Sequence, residues 1–148
     1  MIEIEVNNRQ TVLQPLDAAR LVDATRRILV AASYSAGEVS LAIVADDEMQ
    51  QLNARWLKHD WPTDVLSFVI EEDGDLLEGE IIVSAETAQR QALAFGWRAE
   101  DELLLYVVHG TLHLVGHDDH ADDDRAAMRT AEAQHLAAFG LQPRYEAE

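Results

Sequence analysis

The chain has 148 residues, 48% of them apolar, which is enough material for one hydrophobic core and a single domain over 1–148. Its 28 acidic against 11 basic residues give a formal net charge of -17, which argues against indiscriminate attraction to a polyanion, and the absence of cysteine excludes disulfides and thiolate metal sites alike. No apolar run approaches the roughly 18 residues of a membrane span, and the alternating N-terminus offers no secretion signal, so the expectation is a soluble, cytoplasmic protein with no membrane partner.

Ile2, Ile4 and Val6 alternate at period two and predict a first strand. Apolar residues at helical spacing, among them Leu21, Val22, Ile28 and Leu29, predict a helix over 17–32 behind Pro15, with Gly37 breaking the pattern. Val39–Val44 reads as a second strand, and Asp46 or Asp47 as the N-cap of a helix through Met49, Leu52 and Trp56. Val65–Ile70 and Glu80–Ser84 read as a hairpin turning at Asp73-Gly74-Asp75, with the acidic stretch Glu71–Glu80 as a solvated turn. Three helices follow: one from Ser84 and Thr87 to Gly96, one over 100–115 and one over 122–139, with Gly116 and Gly140 past the ends of the last two. Strands first and helices last predict an α+β fold, a mixed sheet of about four strands packed against helices.

The acids are clustered, six in Glu71–Glu80 and five in Asp118–Asp124. Basic residues elsewhere, Arg20, Arg26, Arg27, Arg55, Lys58, Arg90 and Arg98, remain available to a phosphate-binding surface. Four of the six histidines fall within 109–120. Positions i and i+4 stack on one helical face, so His109 and His113 can direct two imidazoles at one ion. At helical pitch Glu102, Tyr106, His109 and His113 form a narrow polar stripe on an otherwise apolar helix, and such a stripe must face a cavity. A third ligand is expected after Gly116. In zincin-type helices that continue His-x-x-Gly-x-x-His it stands six residues past the second histidine, which here is Asp119; His120 is the alternative by chemistry. Three protein ligands leave a fourth position for water, whose pKa zinc lowers to about 7. Gly110 stands where a His-Glu-x-x-His peptidase carries its general base, which disfavours peptide hydrolysis.

His109-Gly-Thr-Leu-His113-Leu-Val-Gly116 resembles the metal-binding signature of the YbeY family of single-domain, zinc-dependent bacterial endoribonucleases. Leu52-Asn53 with Pro62-Thr-Asp-Val-Leu-Ser-Phe68, and Gly79-Glu-Ile-Ile-Val-Ser84, are similar to two further blocks of that family, in the same order. The resemblance spans most of 46–120. It implies one zinc ion on His109, His113 and Asp119 or His120, a zincin-like helix near the C-terminus, and cleavage of single-stranded ribosomal RNA in rRNA maturation and ribosome quality control, with the ribosome or ribosomal proteins as partners. The family's histidine six positions after the second ligand is Asp119 here. Where the family commonly has an arginine implicated in activity this chain has Leu57, so Arg55 and Lys58 become the candidate phosphate-holding residues. Trp56 and Trp61 are candidate stacking platforms for unpaired bases. A second expectation, motivated by the net charge, is a ribosome-assembly binding protein with a structural metal; a metallopeptidase is the third.

Overall fold

Period-two patterning delivers four strands to one sheet. The computed structural model describes residues 1–57, 64–117 and 121–144, and in it β1 (Glu3–Asn8), β2 (Ala36–Val44), β3 (Val65–Asp73) and β4 (Leu76–Ser84) pair in the order β1-β2-β4-β3. The β1/β2 and β2/β4 pairs are parallel and β3/β4 is antiparallel, so the sheet is mixed. A parallel pair needs a crossover, and α1 (Ala18–Ala31) supplies the one between β1 and β2. Helices α2 (Asp46–Leu57), α3 (Ala85–Phe95), α4 (Ala99–Leu114) and α5 (Asp122–Ala137) complete an α+β fold. No helix among the described residues is long and apolar enough to cross a membrane.

Two expectations change. Gly37 does not end the pattern but lies inside β2 at φ +116°, and a Cβ there would stand 2.0 Å from the Leu77 carbonyl oxygen, so glycine is what lets β2 and β4 approach at this point. Most of the acidic stretch is not a turn: Glu71 pairs with Glu78 and Asp73 with Leu76 beyond a bulge after Val69, and the reversal is confined to Gly74-Asp75. Backbone pairing extends the hairpin while the Glu71 and Glu72 side chains stay in water.

The sheet buries both faces near β4, which is why that strand reads as a continuous apolar run. Leu77, Ile81 and Val83 join α1 and α4 in the main core, whereas Ile82, pointing the other way, packs with Ala42, Val44, Leu66 and Met49 beneath α2. Helix α4 carries Leu103, Leu104, Val107, Val108 and Leu112 at 2% exposure or less, each burial contributing roughly 1.5–3 kcal/mol. An all-round apolar helix must be enclosed, and α1, α3, α5 and the β3–β4 hairpin enclose it. At Gly110 a Cβ would meet Ile81 Cγ2 at 2.8 Å and Val65 Cγ2 at 2.9 Å, and the Ser67 hydroxyl donates to the Gly110 carbonyl at 2.9 Å. Position 110 therefore faces the sheet and has no room for a carboxylate.

Asp46, expected as a cap, is the first residue of α2, and it ties three elements together. Its carboxylate accepts from Ser84 Oγ, from Thr87 Oγ1 at 2.7 Å and from Arg90, while its N–H donates to Glu86 Oε1 at 2.8 Å. Burial opposes its ionisation, but the two hydroxyls and the guanidinium outweigh burial and hold its pKa below the ordinary value. A depressed folded pKa gives stability that is complete above the unfolded value and is lost as pH falls through the folded one. Asp46→Asn is expected to lower unfolding free energy by about 1–2 kcal/mol at neutral pH, with the gap to the unmodified protein closing below about pH 4. Urea unfolding of both proteins across that range checks it.

Candidate metal centre and adjoining cavity

The i, i+4 spacing on α4 brings the two imidazoles together. His109 Nε2 and His113 Nε2 stand 3.0 Å apart, and His109 Nδ1 lies 2.9 Å from Glu132 Oε2 on α5. The Glu132 residue is 3% exposed. A carboxylate oxygen accepts, so the His109 Nδ1–H donates to Glu132 and the His109 Nε2 lone pair is left facing His113. Two nitrogens this close can each sit about 2.0–2.1 Å from one ion. The donor pair, held from behind by a carboxylate, thus fits a divalent cation. No group of three or more potential ligands forms among the described residues, and Asp119 and His120 lie outside them.

Beside His109, a cavity of about 630 Å³ opens between α3, α4 and α5. Glu102, Tyr106 and His109 all line it, so three members of the polar stripe share one space. Trp97 Nε1 donates to Glu102 Oε1 at 2.9 Å, and burial pushes the Glu102 carboxyl above the usual range despite that bond. The Tyr106 hydroxyl is buried beside the Glu102 carboxyl and makes no hydrogen bond of full geometry among the described residues. Burial, and next the charge of nearby Glu102, push its pKa up, so it remains a proton-bearing donor.

Arg55 is placed elsewhere. It is exposed on α2 and lines a separate depression with Arg9 and Glu48, because α2 covers the sheet face opposite α4. Lys58, Trp61, Pro62, Thr63 and the side chain of Trp56 lie outside the described residues, whereas Asp64 lines the His109 cavity. Sequence reasoning missed Glu132, although a signal existed: with Met128 and Leu136, one turn away on either side, it occupies the buried face of α5. An acid at a core position of an amphipathic helix needs a buried partner. It also missed Arg125 and Arg129, one turn apart on the same helix and both lining the cavity.

Residues 4–140 match the family model described as Endoribonuclease YbeY. Curated relatives of that name include one from Rhodopirellula baltica, 42% identical over 131 residues that cover 86% of this chain and 68% of the relative. Another, from Syntrophotalea carbinolica, is 37% identical across 90% of this chain and 93% of its own. A Thermotoga maritima protein solved in solution superposes at a TM-score of 0.63 with 27% identity, covering 95% of this chain and 92% of that one. With its histidine pair, hairpin and helix order already in place, the chain belongs to the YbeY endoribonuclease family.

Proposed function

We propose that the chain is a zinc-dependent endoribonuclease that cuts single-stranded RNA, working in the cytoplasm on ribosomal RNA during its maturation and in ribosome quality control. The observation that carries this reading is the convergence of two Nε2 atoms at 3.0 Å, one of them oriented by Glu132. The relatives' name supplies the substrate class. His109 and His113, with Asp119 or His120, hold the ion, and zinc, when bound, supplies Lewis acidity that acidifies water and offsets charge developing on phosphate oxygens. Glu132 holds the His109 ring in one tautomer. The cavity beside the pair gives the strand a place to lie, with the Tyr106 hydroxyl as a donor on its wall.

The net charge of -17 and the exposed acids of the β3–β4 hairpin favour a second reading, a ribosome-assembly protein that docks on basic partners and uses metal only to hold its fold. Chelation separates the two. Protein freed of contaminating nuclease should cleave a single-stranded oligoribonucleotide, lose cleavage with chelator, regain it with zinc, and keep its thermal transition throughout. Cleavage that persists in chelator sinks the ribonuclease reading as stated, and unfolding on chelation without any cleavage supports the assembly role.

A further inference from the structure

We propose that the cavity beside His109 is a nucleotide subsite, in which arginines at the rim take a phosphate of the RNA strand next to the cleaved one and the apolar wall receives its unstacked base. This rests on the ribonuclease reading above. In a chain of net charge -17 with only 11 Lys and Arg, four arginines, Arg90, Arg125, Arg129 and Arg144, line this one space. They come from α3, from α5 and from the segment after it, so folding gathers them. Arg125 and Arg129 stand at i, i+4, where like charges destabilise an isolated helix, so the pairing does not serve the helix itself. Arg144 Nη1 donates to the Gly96 carbonyl at 2.8 Å, which fixes the segment after α5 against the end of α3.

The cavity's carboxylates, Asp64, Glu102 and Glu132, are outnumbered by the four arginines. Glu132 is committed to His109 and Glu102 to Trp97, both buried, and Asp64 is the one acid at an exposed position on the lining, while the side chains of Arg90 and Arg125 are 56% and 49% exposed. Arg90 pairs with Asp46 and Arg125 with Asp122, and ion pairs this exposed are screened by water, weak enough for a bidentate phosphate to compete. Deeper in, Phe95, Leu105 and Met128 give an apolar and aromatic lining. Single-strand sites use such surfaces to receive bases whatever their identity, since every base has an apolar face. The Tyr106 hydroxyl, beside the Glu102 carboxyl, makes no hydrogen bond of full geometry among the described residues, a shortfall that an acceptor on a base edge would recover. At about 630 Å³ the space is within the usual size of ligand pockets.

The test uses the full chain carrying His113→Ala, to prevent cleavage, and a fluorescein-labelled single-stranded oligoribonucleotide followed by anisotropy over a salt series. Adding Arg125→Gln and Arg129→Gln, both at exposed positions, should weaken binding roughly ten-fold and flatten the plot of log affinity against log salt by about 0.7 for each phosphate no longer neutralised. The Arg125→Lys, Arg129→Lys version should keep most of that slope. Tyr106→Phe should weaken binding a few-fold with the slope unchanged. Equal affinity and slope in the glutamine variant overturn the subsite, as does an acidic peptide, polyglutamate, that competes as well as RNA. If the unmodified protein cleaves RNA yet the glutamine variant binds normally, the subsite alone falls. If it never cleaves yet binds with an arginine-dependent slope, the ribonuclease reading falls and the subsite stands.

Discussion

His113→Ala is expected to yield a folded protein that no longer retains zinc and cleaves RNA at least about 100-fold more slowly. The substitution removes one of two nitrogens that stand 3.0 Å apart, leaving His109 without its neighbour on α4. Losses at groups that merely support metal ligands run to about 10–100-fold, and removal of a ligand should exceed them. The fold should persist because alanine is the strongest helix former and His113 is only half-buried. Elemental analysis, cleavage rate and a thermal melt on one preparation check all three parts. A variant that cuts as fast as the unmodified chain ends the proposal.

Glu132→Gln carries the second large effect. The amide is nearly isosteric, so packing around α5 is kept, but the charge that stabilises the Nδ1–H of His109 is gone. Zinc affinity, measured against a competing chelator, should fall about 10–100-fold, and cleavage at limiting zinc should fall with it. A purely structural role predicts the reverse: lower stability with unchanged affinity. The truncation Glu132→Ala adds a cost of its own, because it empties the buried place of the Glu132 side chain and removes the carboxylate acceptor of the half-buried His109 ring N–H, about 1 kcal/mol.

Much of this was legible in the residues, and the reasons differ from place to place. The histidine pair was readable because helical pitch alone decides that i and i+4 share a face, and α4 was readable because its apolar residues leave one polar stripe. The mixed sheet followed from strands that alternate or run apolar. Gly37 was not readable, since glycine in the sequence signals a break as readily as a tight approach, and only the neighbouring Leu77 carbonyl distinguishes them. The hairpin's outer half was hidden because acidic side chains describe solvent exposure and say nothing of backbone pairing. Glu132 and the α5 arginines sit in a segment beginning Asp122-Asp123-Asp124 that reads as solvated, and their convergence on α4 depends on how two distant helices cross. The position of Arg55, in a depression apart from the histidine pair, was hidden for the converse reason: proximity in sequence to a recognisable block does not tell which face of the sheet a helix covers.

The seating of Gly110 on the hairpin decides which part of the centre can yield. With Ile81, Val65 and Ser67 at contact distance from where a side chain would begin, α4 cannot slide over the sheet, and its imidazoles are mounted as if on an anvil. On the proposed reading, a nucleic acid that needs more width pushes against the opposite wall, which is α5 with Glu132. Substrate fit and the hold on His109 would thereby be joined in one helix, and any adjustment for a bulky strand would be felt directly at the ring it supports.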